Sequence, residues 1–339
     1  MTTSPLRHKT KPSHLWLVFF ITLTLFLFGW YVSLRFGAVS YSNQTLLEVA
    51  KHPLTNSSAQ DVIFDLRLPR SLSAILVGAS MAQAGAIIQG VTRNPIADPG
   101  LLGINAGAGL ALILAYAIFG SLHYTSVLLA CLMGSLLAAL LVFGLSYHRQ
   151  RGYSQLRLIL AGAMVSTLFS AIGQAVTLYF DLSTAIIGWQ AGGLAQTNWK
   201  MLAIIAPILI IGLLLAQILS HQLTILSLNE TVAKALGQRT LLTTLSLLVV
   251  VLILSSGAVA LVGTISFVGL IIPHFVRLFA GKNYKLLLPL TAFLGATFML
   301  WVDVIARVIH PPAETPISAI ISLVGLPCFL WLIRKGKSL

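Results

Sequence analysis

Ten predominantly apolar stretches divide the chain, each bounded by polar or charged positions. They run Leu15–Leu34, Ser71–Val91, Leu101–Phe119, Thr125–Tyr147, Leu156–Phe180, Lys200–Leu219, Leu241–Val262, Ile265–Ala280, Pro289–Arg307 and Ile317–Ile333. About 20 apolar residues in a helix cross one hydrocarbon core, so the pattern predicts about ten transmembrane helices. The tract from Leu241 to Ala280 must be cut near Gly263, and irregular backbone at that depth survives only when buried in protein or lining a cavity. The first run is too long for a signal-peptide core and has no small-residue cleavage site, so it reads as an uncleaved helix. The expected layout is one transmembrane domain over 1–339. Its parts are a first helix at 15–34, an outer loop at 35–70, helices 2–6 over 71–219, a cytoplasmic segment at 220–240, and helices 7–10 over 241–333.

Composition removes the soluble alternatives. Hydrophobic residues make up 57% of the 339 positions and charged residues 9%, whereas a soluble domain carries about 25% charged residues. The formal charge of +13 does not indicate a nucleic-acid partner, because the basic residues sit in small groups at the ends of apolar runs. That placement sets topology. With both termini cytoplasmic, the inner segments hold 15 Lys/Arg and the outer ones 6, four of the six (Arg35, Lys51, Arg67, Arg70) in the one long loop. Cys131 and Cys328 fall inside apolar runs and form neither a disulfide framework nor a metal motif.

Small residues crowd several runs: Gly78, Ala79, Ser80, Ala82, Ala84, Gly85 and Ala86 in one, with Gly103/Gly107 and Gly188/Gly192 each spaced as GxxxG. Such residues let helices approach closely, which suits a compact all-α bundle.

Chemistry-bearing motifs are few. GxxxxGK[ST] and HExxH are absent, and no metal-ligand cluster is seen. Asp303 is the only acidic residue deep in a run, with Arg307 its i+4 neighbour. An ion-coupled secondary transporter would bury more ionisable groups, and a membrane-embedded enzyme would need a catalytic constellation. The most informative polar segment is 221–240. Ser227 and Glu230 have capping-box spacing, and Glu230 and Lys234 form an i,i+4 pair. Leu228, Val232 and Leu236 recur at helical spacing, and Gly237 is placed to stop the helix. Such a helix either lies on the lipid surface or docks into another protein.

Five segments stand out as longer motifs: Arg67-Leu-Pro-Arg70 with Gly85-Ala-Ile-Ile-Gln-Gly90; Thr92-Arg-Asn-Pro-Ile-Ala-Asp-Pro-Gly-Leu-Leu-Gly103; Ser227-Leu-Asn-Glu-Thr-Val-Ala-Lys-Ala-Leu-Gly237; Gly263-Thr-Ile-Ser-Phe-Val-Gly-Leu-Ile-Ile-Pro-His274; and Pro316-Ile-Ser-Ala-Ile-Ile-Ser-Leu-Val-Gly-Leu-Pro327. Together they resemble the FecCD family, the permease subunits of ABC importers for ferric siderophores, haem and cobalamin. The resemblance runs from about Arg67 to Lys335 in the family's order.

It implies a bacterial plasma-membrane permease that pairs with a second copy or a sister subunit. Two ABC ATPase subunits would sit beneath and a substrate-binding protein would dock outside. The chain would bind no cofactor, ATP and Mg residing on the ATPases. An iron–siderophore complex is the expected cargo, with haem or cobalamin as alternatives. By the same resemblance, Ser227, Leu228, Asn229, Glu230, Val232, Ala233, Lys234, Leu236 and Gly237 form the ATPase-coupling segment. Arg67, Arg70 and Arg307 match arginines that, in the family's cobalamin importer, meet glutamates of the binding protein. Asn94, Pro95 and Ile96, with Ser154, Gln155 and Leu156, align with positions that close the cytoplasmic end of the path. The Ser154 segment departs from the family's local sequence. His274 and Arg277 read as interface or anchoring residues near the inner side, with no metal role.

Overall fold

A computed structural model describes residues 12–37, 39–51, 57–120, 122–148, 152–153, 155–183, 186, 192–311 and 313–335. Among the described residues the secondary structure is helical apart from one two-residue antiparallel pairing, Tyr147–His148 with Gly152–Tyr153. The helices are α1 Pro12–Arg35, α2 Asn43–Lys51, α3 Ser58–Thr92, α4 Ile104–Phe119, α5 Tyr124–Ser146, α6 Gln155–Tyr179, α7 Trp199–Ile218, α8 Ser220–Leu228, α9 Glu230–Ala235, α10 Thr240–Val262, α11 Val268–Ala280, α12 Tyr284–Val308 and α13 Ile317–Lys335. Among the described residues, seven helices are long and apolar enough to cross a membrane, and three shorter apolar helices (α4, α11 and α13) match the remaining apolar runs.

The segment 35–70 departs from the expected loop. It holds α2 and the first turns of α3, which starts at Ser58 under an N-cap in which Ser57 Oγ accepts from Gln60 N. α3 then passes through a π-helical stretch, Asp61–Arg67. Arg67 and Arg70 break the apolar run in sequence, but both are buried on partners from other segments, so the helix continues through them.

α3 is the central element, packed by α7, α10, α11 and α12. Its stripe of small residues makes this possible. Gly78 lies on the backbone of Gly295 in α12, and Gly85 on that of Gly269 in α11, each so closely that a Cβ would collide with the facing carbonyl. Gln83 and Gln89, buried on α3, spend their amide N–H groups on the carbonyls of Leu288 (3.1 Å) and Gly269 (3.1 Å). In lipid, close packing and interhelical hydrogen bonds of this kind drive helix association. Large apolar side chains such as Ile118, Leu178 and Leu323 stay exposed on the outside of the chain.

The long apolar tract is cut where expected. α10 ends at Val262, Gly263 takes φ +81°, and α11 begins after Phe267 at φ +69°. Gly263 and Ile265 of the break are buried, and neighbouring segments satisfy two carbonyls there. Gly193 N donates to Val262 O (2.9 Å) and Asn105 Nδ2 to Ile265 O (3.0 Å). Of the GxxxG pairs, Gly107 packs on the backbone of Gly134 in α5, while Gly188 lies outside the described residues.

Candidate functional site

Polar side chains concentrate at the two ends of α3. At the Arg70 end, Asp303 of α12 is fully buried between two arginines. Arg70 Nε donates to Asp303 Oδ1 at 2.7 Å, and Arg307 Nη2 lies 3.0 Å from Asp303 Oδ2. The rest of the Arg70 guanidinium forks onto Glu314, with Nη2 3.0 Å from Oε2. Arg307 Nη2 also donates to Ser33 Oγ of α1 (2.8 Å), and Ser33 Oγ lies 2.6 Å from Ser71 Oγ. Arg67 donates to the carbonyls of Leu34 (2.6 Å) and Val39 and lies over the Tyr41 ring. The arginines read from sequence as a docking set are thus buried within this chain and tie α1, α3 and α12 together. Asp303 is rigidly held in a helix with no exposure, whereas Glu314 sits on the loop before α13 and its side chain is 38% exposed.

Glu314 and Ser33 were not legible as site residues. Glu314 is 244 positions from Arg70, and no local spacing links them. The Asp303–Arg307 pair was legible because it is i,i+4.

At the opposite end, α8 and α9 form two short helices with Asn229 between them in extended conformation. The helix start differs from the capping-box expectation. Asn229 Oδ1 caps α9 through Thr231 N (3.2 Å), while Ser227 belongs to the last turn of α8 and donates to Thr224 O. Asn229 is the residue directly before Glu230, so its short side chain reaches the first-turn N–H without the longer box. Gly237 ends the segment at φ +77°. Gly237 N bonds Lys234 O (2.9 Å) and Gln238 N bonds Ala233 O (3.0 Å), the paired closure of a left-handed stop. Ala233 is buried, whereas Leu228, Val232 and Leu236 are exposed, leaving an apolar stripe uncovered by this chain.

The loop after α3 is tied to this unit. Arg93, in left-handed conformation at φ +52°, caps α3, and its Nε donates to Leu226 O of α8 (3.2 Å). Asn94 Oδ1 accepts from Ile96 N (3.1 Å), and Pro95 and Ile96 are exposed. Asn94 lines a small cavity with Leu158 and Ile159, bringing this loop to the start of α6. That start is formed by Gln155 and Leu156, while Ser154 lies outside the described residues. Further along, Asp98 Oδ1 accepts from Gly100 N (2.8 Å), and Oδ2 is buried with no hydrogen-bond partner among the described residues. Burial pushes the Asp98 carboxyl up to about 6, against the opposing pull of the Gly100 N–H.

The bundle thus carries a buried polar clamp at one end of α3 and, at the other, a loop fastened to a segment with an exposed apolar stripe. The chain belongs to the FecCD transport family, whose model matches residues 25–335. It is a permease subunit of the ABC-importer class and a multi-pass protein of the bacterial cytoplasmic membrane. It is 37% identical over 315 residues to the iron(3+)-hydroxamate import system permease protein FhuB of Bacillus subtilis, covering 93% of this chain and 82% of that one. It is 35% identical over 312 residues to the hemin transport system permease protein HmuU of Yersinia pestis, covering 90% and 91%. A solved structure described as a metal-chelate-type ABC transporter in an inward-facing conformation superposes with a TM-score of 0.81 at 34% identity, covering 94% of this chain and 99% of that one.

Proposed function

We propose that this chain is one of two permease subunits that carry a ferric siderophore complex inward, powered by two separate ATPase subunits. The ATP and Mg reside on those ATPases and none on this chain. The supporting observation is the bond from Arg93 to Leu226 O. It joins the loop of Asn94, Pro95 and Ile96 to the α8–α9 unit, whose Leu228, Val232 and Leu236 stripe has no cover within the chain. An ATPase that grips the stripe through the Ser227–Gly237 segment would therefore pull directly on that loop. Both chain termini lie on the ATPase side in this reading. A cysteine at Ser57 would then label from outside, and one at Lys282 only after permeabilisation.

A substrate-binding protein docks at the opposite end. Arg70 is the recognition residue there, because its Glu314 partner is exposed and loop-borne. A carboxylate from the binding protein takes the place of Glu314, while Asp303 keeps Arg70 in position and Arg67 and Arg307 hold the helix ends. Directional guanidinium–carboxylate pairing suits such an exchange.

The siderophore assignment draws on the likeness to FhuB, an iron(3+)-hydroxamate permease, and the HmuU likeness supports haem as a second reading. Vesicles containing the permease, its ATPase and its binding protein decide between them. ATP-dependent uptake of a ferric hydroxamate in preference to haem is expected. Haem uptake alone would replace the substrate assignment, and uptake driven by an ion gradient without nucleotide would overturn the mechanism.

A further inference from the structure

We infer that the ATPase-side end of the bundle holds a binding site for the headgroup of an anionic phospholipid. A cavity of about 570 Å³ lies between the end of α3, the end of α8 and the α11–α12 junction. Its wall carries Arg93, His274, Arg277 and Lys282 beside Leu228 and Leu278. Three permanent cations thus line one cavity, Arg277 partly buried and Arg93 and Lys282 exposed.

The chain does not neutralise them. Among the described residues the ion pairs of Arg70 and Arg307 are with Asp303 and Glu314 at the opposite end, and Arg93, Arg277 and Lys282 have no carboxylate within ion-pair distance. Arg93 spends Nε on Leu226 O, and Arg277 leans on Tyr284 Oη at 3.4 Å. Among the described residues, the other N–H groups of these three side chains have no acceptor within the protein. An anion would satisfy them at once, with the charge-assisted geometry that phosphate oxygens favour.

Placement and shape select a lipid. From Arg70 to Arg93, α3 rises about 34 Å at 1.5 Å per residue, close to the roughly 30 Å hydrocarbon thickness. With the Arg70 network at one interface, the cavity lies at the other, where phosphodiesters are concentrated. Its volume falls in the range of about 300–1,000 Å³ typical of small-molecule sites, more than a bare phosphate needs. The half-exposed Leu278 gives it an apolar wall that a glycerol backbone and first acyl carbons would cover. Basic pockets between helix ends bind anionic headgroups on this logic.

The test uses the full-length chain in detergent, titrated with phosphatidylglycerol or phosphatidylcholine and read by native mass spectrometry. Retention of phosphatidylglycerol in preference to phosphatidylcholine is expected. Each cation removed should weaken it about fivefold, so Arg277→Gln with Lys282→Gln should weaken it about 25-fold. Arg277→Lys with Lys282→Arg should retain the lipid, which guards against misfolding as the cause of loss. Equal retention of both lipids, or undiminished retention by the Gln pair, overturns the site. Inorganic phosphate that binds there and displaces the lipid at low millimolar concentration would make it a soluble-anion site instead. Expulsion of the lipid on assembly with the ATPase would make the cavity a socket for that protein's acidic side chains and equally overturn the inference.

Discussion

Asp303→Asn is the most incisive change at the Arg70 end. The Asp303 carboxylate is fully buried and faces Arg70 and Arg307, whose side chains are 9% and 7% exposed. The amide oxygen of Asn can still accept from Arg70 Nε, so shape and one hydrogen bond survive while the negative charge is lost. Two buried guanidinium groups would then share only the partly exposed Glu314. Removing one partner from a buried ion pair costs about 3–5 kcal/mol. Retention of the hydrogen bond argues for the lower end, about 3 kcal/mol. Glu314→Gln removes a charge of the same sign from the same arginine, but at 38% exposure solvent screening reduces the loss to about 1 kcal/mol or less. Unfolding of the chain in mixed micelles with increasing SDS measures both. A destabilisation for Asp303→Asn no larger than for Glu314→Gln would refute the view that Asp303 neutralises the buried arginines.

Gly85→Ala should destabilise the bundle by about 1–3 kcal/mol or more through overpacking, since its Cβ meets the Gly269 backbone. Gly144→Ala, inside α5 with open space around it, should cost nothing and gain up to about 1 kcal/mol of helix propensity in the same unfolding assay. Gly237→Ala places an L-residue at φ +77°, costing about 1–2 kcal/mol locally. It should leave the chain inserted but reduce substrate imported per ATP hydrolysed in vesicles; unaltered coupling would count against the docking role of the segment. Asp98 carries a carboxyl raised from 3.8 to about 6, so the folded chain holds its proton to higher pH than the unfolded chain. The sign follows: stability is greatest below about 4, falls as pH rises through 6, and the total loss is at most about 3 kcal/mol. Asp98→Asn should flatten that part of a pH-dependent unfolding profile, and an unchanged slope would show that Asp98 is not its source.

The ten apolar runs were legible because lipid demands long uninterrupted helices, and each run became one. The apolar stripe of the 227–237 segment was legible too, since Leu228, Val232 and Leu236 keep their spacing and stay exposed whatever the cap. What escaped was set by distant partners. Arg67 and Arg70 read locally as the polar edge of an outer loop. Asp303, 233 positions from Arg70, and the carbonyls of Leu34 and Val39 allow them to sit inside a continuing helix. The capping box at Ser227 failed for a local reason: Asn229 offers a shorter cap, and the chain uses it.

The glycine seats of α3 constrain how the permease can move. At Gly78 and Gly85 bare main chain rests on bare main chain, with no side chain between to flex or change rotamer. The axle they form has no cushioning, so sliding α3 past α11 or α12 at these seats would drive main chain into main chain.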